Sequence, residues 1–344
     1  MIYTILLVTL AIGLLNPRPV RGAGSDKRPL LYATYSKLCT VADHLKRTPK
    51  RVSKFLTTAS EAAKVANVVA LKLRIKSAKE KTREKRLQME ALAHLMEEHA
   101  VRTVSEIQAE GPTWIRAAVT TSTLRARIAE GLSVFKEAKV GTGHCLNGQT
   151  PNQDGHTAFA TQNCLKDDLE AAPDDAKSNQ NELDGNGFKS GTDNTQPVST
   201  SSSADTKCAL TNTGATAGTH CFKTGAKFIA GLLTLNNGDT SSAMKDISKG
   251  LTTSPRQTTD TLTAALHDAN LINRAQIEKY KTAQFEALKA TITKAELKKT
   301  GKLLILYKLA TVSDKDAKTE ELAKKDTGRT GHSSIRPLDR CSKD

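Results

Sequence analysis

The chain has 344 residues, 51 Lys and Arg against 36 Asp and Glu, a formal net charge of +15, and only 4% aromatic residues with a single Trp. So few aromatic side chains argue against a β-sandwich and suit long helices packed through Ala and Leu. No C-x-x-C pair occurs among the six cysteines, so zinc ribbons and thioredoxin-type redox chemistry have no support.

The chain opens on an apolar run from Ile2 to Leu15 that carries no charge. It is too short for a bilayer span, which takes about 20 residues. Asn16, Pro17 and Pro19 break it, and Val20-Arg21-Gly22 supplies small residues at a signal-peptidase site. Residues 1–22 therefore read as a secretory signal, with a mature chain from 23 to 344. Loss of Arg18 and Arg21 with the signal lowers the formal charge from +15 to +13. Export places Cys39, Cys145, Cys164, Cys208, Cys221 and Cys341 in an oxidising compartment, where an even count implies disulfides. Six cysteines allow 15 connectivities, and sequence selects none.

The spacing then predicts a helix over about 38–108. Val52, Phe55, Ala59, Ala62, Ala66, Val69 and Leu73 recur at intervals of three and four, and Met89, Leu92, Met96, Ala100, Thr103 and Ile107 continue the rhythm. Gly111-Pro112 is expected to end it, because Pro lacks the backbone donor and crowds the preceding turn. A second helix is expected from Thr113 to about Lys139, stopped by Val140-Gly141-Thr142-Gly143. Residues of about 141–235 read as a lobe rich in Asn, Gly, Asp, Ser and Thr that cannot build its own core and relies on cross-links. Asp184-Gly185-Asn186-Gly187 is turn chemistry, and the composition of Lys177 to Asp205 predicts disorder. Phe228 to Leu235 is a buried segment of helix or strand. A last long helix is expected over about 258–325, marked by Leu262, Leu266, Ala269, Ile277, Tyr280, Leu288 and Ile292. The fold class is mainly α: an elongated antiparallel hairpin or bundle of long helices with a disulfide-linked, loop-rich lobe.

Candidate chemistry is thin. His144-Cys145 and His220-Cys221 could offer two His and two Cys to a metal, but disulfide formation competes for the sulfurs and no metal is expected. There is no G-x-S-x-G, and the Gly-rich turn at 141–143 lacks the Lys-Ser/Thr of a phosphate loop. No catalytic residue, cofactor site or enzyme activity is expected. Lys72 to Arg86 holds eight basic residues and two Glu, a solvated turn of a long helix rather than a nucleic-acid stripe, since no aromatic is interleaved.

Leu38-Cys39 opening a long helix, Gly143-His144-Cys145-Leu146-Asn147-Gly148, Gln162-Asn163-Cys164-Leu165, Lys207-Cys208-Ala209-Leu210-Thr211 and Gly218-Thr219-His220-Cys221-Phe222 together resemble the N-terminal domain of trypanosome variant surface glycoproteins, nearest the B-type subclass. The resemblance implies a homodimeric helical coat protein, held on the plasma membrane by a lipid anchor, that shields the cell surface and defeats host antibodies through antigenic variation. A receptor for a host serum protein or nutrient on the same scaffold is the alternative. The family's cysteine-rich C-terminal domain and the hydrophobic tail that directs a GPI anchor are expected to be absent from this chain, whose last residues are polar, and no N-x-S/T sequon occurs.

Overall fold

The computed structural model describes residues 28–138, 143–150, 153–162, 182–192 apart from 185, 225–235, 242–249 and 256–276, with positions 173, 174, 176, 198, 208, 210 and 211. The elements run α1 (Tyr32–Lys79), α2 (Arg83–Glu137), α3 (His156–Ala160), β1 (Ala226–Phe228), β2 (Leu233–Leu235), β3 (Ala243–Met244) and α4 (Thr261–Arg274). Two compact units are built from them. One comprises residues 1–46, 120–168 and 178–270; the other comprises 47–119, 169–177 and 271–344.

Within the second unit α1 and α2 form a helical hairpin. Only Glu80, Lys81 and Thr82 separate α1 from α2, and so short a link forces antiparallel neighbours. The register confirms it: Phe55 stacks on Trp114 with ring centroids 3.7 Å apart, Arg74 pairs with Glu97, and Ser77 meets Glu90. Ala66, Val69, Ala70 and Leu73 of α1 bury against Met89, Leu92, Ala93, Met96 and Ala100 of α2. Small Ala side chains let the helices approach closely, which the three-and-four spacing anticipates.

The break between these helices does not fall where Gly111-Pro112 places it. Both α1 and α2 run straight through a proline, Pro49 and Pro112. An interior Pro costs about 3 kcal/mol. Val52, Phe55, Ala59, Trp114, Ala117 and Ile272 form a buried cluster around this level, and truncating a buried Trp to Ala costs about 3–5 kcal/mol. Packing outweighs local propensity, so the helix continues.

The first unit gathers the other core. Leu38, Val41, Ala42 and Leu45 of α1, Leu124, Ile128, Leu132 and Phe135 of α2, and Leu262, Ala265, Leu266 and Ala269 of α4 surround apolar residues sent in by the lobe. The segment left open between helix and strand is a β-hairpin. Ala226 pairs with Leu235 and Phe228 with Leu233, and β3 adds a third antiparallel strand through Leu233–Met244. Its turn takes Ile229 and Ala230 into the left-handed region, at φ 53° and 56°, which is strained for a β-branched residue. The strain places Ile229 against the notch left by Gly131 of α2, where a Cβ would lie 2.6 Å from Ile229 Cγ1. The expected helix over 258–325 begins at Thr261 and ends at Arg274, with Ala275 and Gln276 already outside it; positions 277–325 lie outside the described residues.

Candidate functional site

The described residues of the lobe form only short elements, and their attachment to the long helices fixes them in place. It starts from the N-terminal segment. Leu30 bridges Leu146 in parallel and Val198 in antiparallel fashion, its amide donating to the Cys145 carbonyl at 2.8 Å and its carbonyl accepting from the Asn147 amide at 2.9 Å. The Tyr35 hydroxyl of α1 donates to the Asn147 carbonyl at 2.8 Å. Burial above all, then the neighbouring Tyr32 and Asp154, pushes the Tyr35 phenol well above its ordinary range, so it stays a neutral donor.

Residues 146–148 and 153–155 lie antiparallel, with Asn147 bridged to Asp154. Gly148 donates to Gln153 at 2.7 Å and Gly155 to Leu146 at 2.8 Å. A Cβ on Gly155 would sit 2.5 Å from the Asn147 carbonyl oxygen, so only glycine permits this approach. Beyond Gly155, α3 drops Phe159 into the core, edge-on to Tyr35 with centroids 5.5 Å apart. Cys145 is bonded to Cys208, 63 positions away, and both are buried. Nearby the Thr211 hydroxyl donates to the Arg28 carbonyl.

A second set of anchors lies where the composition predicts disorder. Leu183 and Phe188 bridge across Asp184–Gly187, and the Asp184 carboxylate accepts from the amides of Asn186 and Gly187 at 2.7 and 3.2 Å. This is the expected turn, realised as a side-chain-capped one. Phe188 donates its amide to the Ile247 carbonyl, and Ile247 returns a bond to Gly191. Leu183, Phe188 and Val198 are buried, and these sparse apolar residues hold the described part of 177–205 in order. Cross-linking alone is therefore not what secures the lobe.

The same unit holds a charge that the sequence reading passed over. Asp268 of α4 is fully buried and receives Arg256 in two-pronged fashion, Nε and Nη2 each at 2.9 Å, with the Thr120 hydroxyl donating at 2.7 Å. Asp268 falls three residues after Ala265 and four before Ile272, on the buried face by spacing alone. At the start of α4, Asp260 caps the first turn, accepting from the Leu262 amide at 3.0 Å and the Thr263 hydroxyl. Burial raises the Asp260 pKa, but those hydrogen bonds and Lys245 outweigh it and the net shift is downward. Beside this cap an open groove of about 930 Å³ is lined by Arg127, Lys227 and Lys245 together with Glu130 and Asp260, nearly balanced in charge.

Of the six cysteines, Cys145 and Cys208 are brought together and Cys39 is disulfide-bonded. Cys164, Cys221 and Cys341 lie outside the described residues. The His144-Cys145 pair is occupied: its sulfur is bonded to Cys208, and His144 Nε2 lies 3.2 Å from Asn147 Oδ1. Among the described residues no cluster of three His, Cys, Asp or Glu could hold a metal, and no helix is long and apolar enough to cross a membrane.

Over residues 8–329 the chain matches the family described as trypanosome variant surface glycoprotein (A-type). The subclass matched is A-type, and the B-type subclass expected from the resemblance is corrected accordingly. No curated protein matches the chain. A solved structure titled "Structure of MITat 1.1" superposes with a TM-score of 0.60 at 19% identity, covering 92% of this chain and 86% of that one. The likeness is one of fold.

Proposed function

The chain belongs to the A-type trypanosome variant surface glycoprotein family, and from that premise we propose that it is a non-catalytic coat protein of the cell surface, shielding what lies beneath it and evading host antibodies through antigenic variation. The observation that carries this reading is the family match across residues 8–329. The chemistry of the described residues agrees with it. Buried charges are spent on architecture: Arg51 donates to the carbonyls of Ile272 and Ala275 at the end of α4, and Asp268 holds Arg256 and Thr120. Cys145 has no thiol to offer as nucleophile or ligand.

In this reading residues 1–22 are removed on export and the mature chain from 23 onward forms a homodimer. All six cysteines pair, so Cys39 and the cysteines at 164, 221 and 341 complete two further disulfides beside Cys145–Cys208. Attachment to the plasma membrane runs through a lipid anchor, and host antibodies are the antagonists. The test is to label live, unpermeabilised cells with antibodies raised against the lobe and to map disulfides by non-reducing peptide mass spectrometry. Surface staining with all thiols blocked from alkylation is the expected result. A cytosolic chain with free cysteines would overturn the proposal.

A further inference from the structure

The link between α1 and α2 carries a concentration of positive charge that folding does not explain. Lys72, Arg74, Lys76, Lys79, Lys81, Arg83, Lys85 and Arg86 face only Glu80 and Glu84 in sequence, so 8 − 2 gives +6 of the chain's +15 within fifteen positions. Arg74 is neutralised by Glu97, at 2.6 and 2.8 Å. The side chains of Lys72, Lys79, Lys81, Arg83, Lys85 and Arg86 are exposed and make no ion pair among the described residues. Lys76 and Lys79 suit the negative C-terminal end of α1. Arg83, Lys85 and Arg86 do the opposite, standing in the first turn of α2 at its positive end, where cations are disfavoured. Their presence works against the local helix.

A second feature adjoins the first. Val68, Leu71 and Ile75 are 48%, 63% and 52% exposed, and their i, i+3, i+7 spacing puts them on one face of α1. That face runs into the basic turn. Apolar residues beside lysines at a helix end are the pattern of elements that lie in a lipid interface, where apolar side chains enter the acyl boundary and lysine stems reach back to the headgroups. A sulfated polysaccharide would satisfy the charge but leave Leu71 and Ile75 in water. We propose that the end of the α1–α2 hairpin is a docking surface for a bilayer rich in anionic headgroups, with the six unpaired cations on the headgroup charges and Leu71 and Ile75 in the interface. This stands independently of the coat reading.

The experiment is co-sedimentation of the full mature chain with phosphatidylserine-containing phosphatidylcholine vesicles, against pure phosphatidylcholine vesicles and a heparin column. Sedimentation with the anionic vesicles alone, weakened by added salt, is expected. Lys81→Ala/Arg83→Ala/Lys85→Ala should lower the partition coefficient about a hundredfold, from roughly fivefold per cation. Leu71→Ser/Ile75→Ser should lower it about tenfold while leaving heparin retention unchanged. All five positions are exposed, and an unaltered far-UV spectrum shows that each variant folds. Retention on heparin without vesicle binding, equal binding to neutral vesicles, or full vesicle binding by Leu71→Ser/Ile75→Ser each overturns the proposal. So does failure of the wild-type chain to sediment with either vesicle.

Discussion

Removing the Cys145–Cys208 bond by Cys145→Ala/Cys208→Ala tests how the lobe is held. The bond closes a loop of 63 positions. In the chain-entropy account, freeing a loop of that size returns about 4 kcal/mol of entropy to the unfolded chain. Any other cross-link that survives inside the loop shortens the effective length, so about 4 kcal/mol is an upper figure. It is a large share of the stability of an ordinary domain, about 5–15 kcal/mol. Against it stand the interactions that persist: the Leu30 bridges to Leu146 and Val198, the Tyr35–Asn147 bond, and the buried Phe159, Leu183 and Phe188. The double variant should therefore fold, with a guanidinium midpoint lowered by the equivalent of 2–4 kcal/mol, about half to all of the entropic figure. Hydrogen exchange then locates the loss, with the amides of Leu30, Asn147 and Gly155 exchanging faster and those around Trp114 unchanged. A variant that unfolds at the wild-type midpoint with those three amides still protected would refute the account, because the clamp would then carry no load.

Three further outcomes follow from the buried polar and aromatic groups. Asp268→Ala strands Arg256 and Thr120 without their acceptor, and thermal unfolding should report a loss of about 3–5 kcal/mol. Trp114→Ala removes the partner stacked on Phe55 beside Pro112, and about 3–5 kcal/mol should go in denaturant titration, with α2 fraying near the proline in exchange experiments. Tyr35 has its phenol pKa raised on folding, so its contribution is complete below the unfolded value of about 10 and is lost as pH climbs from there through the raised folded value; Tyr35→Phe should flatten that alkaline limb in a pH series of denaturation midpoints.

The helices were legible because their signal is periodic and repeated: Phe55, Ala59, Ala62, Ala66 and Leu73 keep one face over many turns, and all are buried. The hairpin link was not. Glu80-Lys81-Thr82 contains neither Gly nor Pro, whereas Gly111-Pro112 has both and is helical. Local punctuation loses to packing when a Trp and a Phe stack beside it. The lobe misled in the other direction. Its polar composition hides single apolar residues such as Leu183, Phe188 and Val198, each too isolated to register as a pattern and each buried. The hairpin of β1 and β2 was illegible for a similar reason, since its turn rests on Ile229 in a backbone state that sequence would assign to glycine. Asp268 could have been found by spacing. The choice of disulfide partners could not, because six cysteines allow 15 pairings and spacing along the chain selects none.

The manner in which the lobe is fastened has an evolutionary corollary. Its described fixtures are few and scattered: one cystine, a pair of phenylalanines, a handful of aliphatic residues, and a backbone stitch at Leu30. Exposed positions such as Gln149, Thr150, Gln153 and Lys189 to either side of them have little bearing on whether the chain folds. A scaffold written in so small a vocabulary can tolerate wholesale rewording of its exposed positions while the same fold is kept.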